Sequence, residues 1–241
     1  MIKIRSSIGR AVLGLAILTG AAAGTTIGIY QASASTPVPI SAIQEVNQSG
    51  QAFGVVFTTA SWATASLQFG NSCANATTSV NEVPNNGYNH LINVPGGLAP
   101  ATTYYFKLTV GGILNDNGGY CFEASTLADQ SVPPVPSTVY GILKTDSCTN
   151  PVSGGLVEVN VGKTNGSTSE TYATITGSNG TFALPFAETA MPDGSYSFPV
   201  LGDDINLSAH AWSTRNAGAN VTYNGKNQVV GPETLCTAQY S

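Results

Sequence analysis

The chain has 241 residues, with 8 Lys and Arg against 13 Asp and Glu, a formal charge of -5 and only 9% charged residues. That balance provides no cationic footprint for phosphates and excludes a broad nucleic-acid interface. Scarce Lys, Glu and Arg beside abundant Gly, Ser, Thr and Asn argue against long surface helices, while a 42% hydrophobic content is enough for a buried core.

Lys3, Arg5 and Arg10 precede the apolar run Ala11 to Gly24, and Ala32-Ser33-Ala34 supplies the small residues that signal peptidase favours. Residues 1–34 therefore read as a cleaved secretory signal. The competing reading is a retained anchor over Ala11 to Tyr30, long enough to span a bilayer but diluted by Gly14, Gly20, Gly24, Thr25, Thr26 and Gly28. Cleavage leaves 5 basic against 13 acidic residues, a charge of -8. The expected location is secreted or cell-surface, with no membrane contact after cleavage.

Export makes Cys73, Cys121, Cys148 and Cys236 candidates for disulfides, and none has the C-x-x-C spacing of a zinc knuckle. Of the three possible pairings, the one that respects the proline-rich break Ser131-Val132-Pro133-Pro134-Val135-Pro136 joins Cys73 to Cys121 and Cys148 to Cys236. Strand parity places Cys121 opposite Tyr120 and Phe122, on an outer face.

Along the chain the hydrophobic period is two. Ala65, Leu67 and Phe69 share a face, as do Tyr104, Phe106, Leu108 and Val110; Val157, Val159 and Val161 repeat the pattern, and so do Phe182 and Leu184. Asn86-Gly87, Asn117-Gly118, Asn165-Gly166, Asn179-Gly180, Asp193-Gly194 and Asn224-Gly225 punctuate these runs as tight turns. The tract Asn71 to Asn86 reads as a long polar loop ordered by Cys73. The expected fold is all-β: two immunoglobulin-like sandwiches in tandem over residues 35–127 and 137–241, with residues 128–136 as a stiff linker holding them apart.

Leu98-Ala99-Pro100-Ala101-Thr102-Thr103-Tyr104 has the L-x-P-x-T-x-Y form found where fibronectin type III domains enter strand F. With Val55 to Thr59, Ala65 to Gly70 and His90 to Val94, it resembles the fibronectin-like N-terminal domain of purple acid phosphatases. The resemblance implies a buried tyrosine-corner role for Tyr104 and a structural role for His90. Phe57 stands where the usual core tryptophan would be, no metallophosphatase domain follows, and phosphatase activity is not implied. Val139 to Leu143, Pro151 to Val159 and Gly177-Ser178-Asn179-Gly180-Thr181-Phe182-Ala183-Leu184 resemble a carboxypeptidase regulatory-like, transthyretin-type sandwich, with Gly177 where that family often has Asp. Neither module implies catalytic residues or a cofactor.

A hydrolytic triad from His210, Asp203 or Asp204 and one of many serines lacks a G-x-S-x-G elbow. Asp193, Asp203 and Asp204 carry oxygen ligands suited to calcium without an EF-hand spacing, so a solvated loop is the favoured reading. Ile205, Leu207, Ala209 and Ala211 share one face, which puts Asn206, Ser208, His210 and Trp212 on the other. Trp212 with His210 is thus the candidate ligand-binding pair, for a sugar or a protein partner; the alternative is that Trp212 covers the junction or lies on Arg215. Sequons at Asn47, Asn75, Asn165, Asn179, Asn206 and Asn220 carry meaning only in a glycosylating host. The expectation is a secreted, non-enzymatic surface or matrix protein whose partners are proteins or polysaccharides, with self-association through strand edges; the alternative is a carbohydrate-binding or accessory module of a secreted enzyme system.

Overall fold

The computed structural model describes residues 40–41, 43–83, 87–129, 137–145, 148–186, 189–197, 199–212, 215–222 and 229–236. The expected leader and most of the proline-rich joint lie outside them.

In the first half the alternating runs become β1 (Gln44–Val46), β2 (Phe53–Ala63), β3 (Ala65–Gly70), β4 (Thr78–Asn81), β5 (Gly87–Val94), β6 (Thr103–Val110), β7 (Ile113–Asn115) and β8 (Phe122–Ser125). One antiparallel sheet has the order β1-β2-β5; the facing one runs β4-β3-β6-β7, with β8 also paired to β6. Phe53, Val55, Phe57, Ile92 and Val94 of the first sheet close over Leu67, Phe69, Tyr104, Phe106 and Leu108 of the second. Each such side chain contributes about 1.5–3 kcal/mol by leaving water. The Tyr104 hydroxyl accepts the Ala99 amide at 2.9 Å, so the loop before β6 is pinned to the core in the way a tyrosine corner requires.

In the second half the strands are β9 (Ser137–Thr145), β10 (Asn150–Pro151), β11 (Leu156–Gly162), β12 (Tyr172–Ile175), β13 (Thr181–Phe186), β14 (Thr189–Ala190), β15 (Tyr196–Ser197), β16 (Asp204–Trp212), β17 (Arg215–Thr222) and β18 (Val229–Cys236). Sheet β12-β11-β16-β17 faces sheet β10-β9-β13, and β18 runs parallel to β9. Val157, Val159, Val161, Ile205, Leu207 and Ala209 meet Val139, Leu143, Phe182, Leu184 and Leu235 between them. The turn into β13 needs a glycine at Gly180, which has φ 76° and leaves no room for a Cβ beside the Leu143 carbonyl, 2.6 Å from where that atom would stand.

The disulfides pair as the proline break indicated, Cys73 with Cys121 and Cys148 with Cys236, at Cα separations of 5.6 and 5.1 Å. In the chain-entropy account, loops of these lengths stabilise by about 4 kcal/mol each.

Three expectations are corrected. Cys121 is 2% exposed instead of lying on an outer face, because it precedes β8 with φ 60° and strand parity does not extend to it. The tract from Asn71 is not one loop, since β4 pairs with β3 within it, Leu67 opposite Val80.

The third correction concerns the spacing of the halves. Residues 37–241 form one compact unit. Outward-facing Val46, Val56 and Leu91 of the first half cluster with Leu156 and Ala173 of the second, so these sandwiches are not held apart. Apolar side chains on the outer faces of both facing sheets drive that contact.

Candidate functional site

The junction is fixed by two asparagines. Asn47 adopts φ 53°, a left-handed conformation that asparagine tolerates better than most residues, and its amide brackets one residue of the edge strand β12. Nδ2 donates to the Ala173 carbonyl at 3.0 Å, Oδ1 accepts the Ala173 amide at 2.8 Å, and the Asn47 amide donates to the Thr171 carbonyl at 3.0 Å. Asn89, on the face of β5 turned away from its core, donates through Nδ2 to the carbonyls of Gly154, His210 and Ala211 at 3.0, 3.1 and 3.2 Å. Among the described residues its Oδ1 accepts nothing.

His210 lies beside this junction on the outer face of β16, as the alternation indicated. Its Nε2 is 3.4 Å from Glu158 Oε2 on the neighbouring strand, and Ser208 donates to the same oxygen at 3.4 Å. The hydroxyl therefore engages the carboxylate, where nucleophile activation requires it to engage the imidazole. Trp212 ends β16 opposite Arg215, and its side chain lies outside the described residues. The structure brings the His210 and Ala211 carbonyls into the junction with Asn89.

A second imidazole does have the hydroxyl–imidazole–carboxylate order. Thr59 Oγ1 is 3.0 Å from His90 Nε2, His90 Nδ1 is 2.8 Å from Glu82 Oε2, and Glu82 Oε1 accepts the Leu91 amide at 3.0 Å. The His90 ring also stacks on Phe57, with centroids 4.7 Å apart. Thr59, His90 and Glu82 are 1%, 0% and 3% exposed, so no substrate reaches the hydroxyl and the trio is a satisfied core network. Glu82 was missed by sequence reasoning; its signal was a lone acid in a neutral tract eight residues before the histidine.

The acidic loop residues do not assemble. Asp193 accepts the Ser195 hydroxyl and amide at 2.6 and 2.9 Å, and those bonds hold its carboxyl below the usual range. Asp203 is not a solvated loop residue: it is buried and accepts Lys163 Nζ at 2.6 Å together with the Val200 and Thr164 amides. Burial alone would raise its pKa; the Lys163 hydrogen bond, the two amides and the ammonium charge outweigh it and hold the carboxyl below its ordinary value. Among the described residues, no three His, Cys, Asp or Glu side chains are grouped to hold a metal ion, and no helix is long and apolar enough to cross a membrane.

Glu45 titrates away from its usual range. Burial pushes its carboxyl up to about 7, against the Ser125 amide and the Gln48 side chain, with Glu170 of the second half adding repulsion. A carboxyl raised in the folded state stabilises fully below its unfolded value of 4.5, and that contribution is lost as pH rises through about 7. Between those limits the loss is on the order of 3 kcal/mol. Urea unfolding at pH 5 and pH 8 is expected to show wild type losing that much relative to Glu45→Gln; equal slopes for the two proteins would refute the assignment.

Large apolar side chains remain exposed where β2 and β5 meet at one end of the first half. Trp62 is 59% exposed and meets Tyr88 edge-on, with centroids 5.5 Å apart and planes at 88°. Val83, directly after Glu82, is 86% exposed. Sequence reasoning passed over Trp62, although an indole set among Ala60, Ser61, Ala63 and Thr64 is a usable signal.

No protein-family model matches the chain, and no curated protein matches it.

Proposed function

We propose that this chain is an exported surface protein that binds without catalysing, its sandwiches acting together as an adhesion scaffold of the fibronectin type III-like and carboxypeptidase regulatory-like kind. The observation that carries this reading is the disposition of the two histidines. One is sealed in the core with its hydroxyl, and the other shares a carboxylate with a serine instead of activating it. The two disulfides fit an oxidising compartment. The exposed Trp62, edge-on to the half-buried Tyr88, favours, within this reading, a polysaccharide partner over a bare spacer.

Intact-mass analysis of native exported material is expected to give a chain starting at Ser35 and lighter by four hydrogens. On esterase, phosphatase, protease and glycosidase substrates the same material should show no turnover above a His210→Ala control. Turnover that depends on His210 or His90 would replace this reading with a hydrolase, and a chain retaining Met1 would make it an anchored protein.

A further inference from the structure

The Thr59–His90–Glu82 network has a consequence outside the core. A buried imidazole and carboxylate stabilise no more than well-packed apolar residues of the same volume, so their presence is informative about rigidity. Thr59 lies three residues before Trp62, His90 two after Tyr88, and Glu82 immediately before Val83. Among the described residues, the segments that carry Trp62, Val83 and Tyr88 are thus each tied, within three residues, to the same buried network. Thr59 Oγ1 also reaches the Tyr88 carbonyl, at 3.4 Å. β2 loses register with β5 between Thr58 and Ala63, and that irregularity turns Ala60, Ser61 and Trp62 into solvent.

An exposed indole held this way gives up little side-chain freedom when something stacks on it. The occupant is limited by size. Among the described residues, three apolar side chains at this end fall far short of the roughly 800 Å² per partner of a stable protein interface. The flat face of one indole matches the aliphatic C–H face of a pyranose ring, and the exposed residues Ser61, Thr64 and Asn81 nearby offer hydroxyl and amide groups of the kind sugars bond. Charge narrows it further. No Lys or Arg occurs from Phe53 to Phe106, so the stretch that carries Trp62, Val83 and Tyr88 brings no cation of its own for a polyanion.

We propose that Trp62, braced by Tyr88, is a stacking site for a neutral polysaccharide chain. The proposal rests on the non-catalytic binding reading and names the class of ligand for it. The test is electrophoresis of the oxidised full chain in native gels cast with soluble β-1,3-glucan, hydroxyethyl cellulose, xylan, mannan or alginate, together with pull-down on insoluble chitin. At least one neutral polymer should retard or retain the protein, and alginate should not. Trp62→Ala should weaken retention at least tenfold, Trp62→Phe should keep part of it, and Trp212→Ala should leave it unchanged. With Trp212→Phe as the background, Trp62 is the sole indole, and its emission should shift to shorter wavelength on titration with the retained polymer.

Retention that survives Trp62→Ala, capture by alginate alone, or no retention by any neutral polymer overturns the proposal. The first of these leaves a non-catalytic binder standing. Hydrolysis of a retained polymer would instead overturn the non-catalytic reading and leave the stacking site in place.

Discussion

Glu82→Ala is expected to lower the unfolding free energy by about 3 kcal/mol, since it leaves more than one buried hydrogen-bonding group unsatisfied at about 1–3 kcal/mol each. Three losses combine. His90 Nδ1 is stranded at zero exposure, the Leu91 amide loses its acceptor, and a cavity opens where the buried carboxylate stood. Glu82→Gln keeps an oxygen for one of the two donors and should cost less. Because Glu82 and His90 act through one hydrogen bond, the double variant Glu82→Ala/His90→Ala should cost at least about 1 kcal/mol less than the two single losses added. Urea unfolding of the four proteins measures this. A Glu82→Ala cost below about 1 kcal/mol would mean that the carboxylate is solvated and that the network does not anchor the Trp62 end.

Much of this fold is written in side-chain parity. The residues on one face of β3, β6, β11 and β16 are those that fill the cores, and a proline-rich break between the second and third cysteines was enough to sort four thiols into two bridges. Parity says nothing, however, about the second face of a strand unless the run is read for what breaks it. Val55-Val56-Phe57 and His90-Leu91-Ile92 are continuous, not alternating, and continuity is the mark of a strand buried on both sides. Those two interruptions were the signal for the junction, and the proline-rich joint, taken alone, pointed the other way. Glu82 and Asp203 were harder to read, because an acidic residue in a polar tract looks solvated until its partner, dozens of residues away for Lys163, is known to face it. The candidate site shows the same limit. The outward face of β16 was placed correctly, but whether His210 serves chemistry or the junction depends on β5, which no local pattern connects to it.

Asn47→Ala is expected to cost about 4 kcal/mol. Leaving the Ala173 amide and carbonyl without partners costs about 1–3 kcal/mol for each group that stays buried, and alanine at a positive φ adds roughly 1 kcal/mol more. Asn47→Gly separates the two contributions, since glycine accepts the backbone conformation but makes neither side-chain bond. β12 is the edge of its sheet, and Asn47 is what occupies that edge: its side chain brackets Ala173 as a neighbouring strand would, and its backbone takes Thr171. An uncovered edge is a template for another chain. The Ala173 amide should therefore lose its hydrogen-exchange protection in Asn47→Ala, and the variant should associate in a concentration-dependent way on size exclusion while wild type does not do so through this strand. If Ala173 stays protected and the variant runs as wild type does, another segment covers β12, and the junction rather than the edge is what Asn47 maintains.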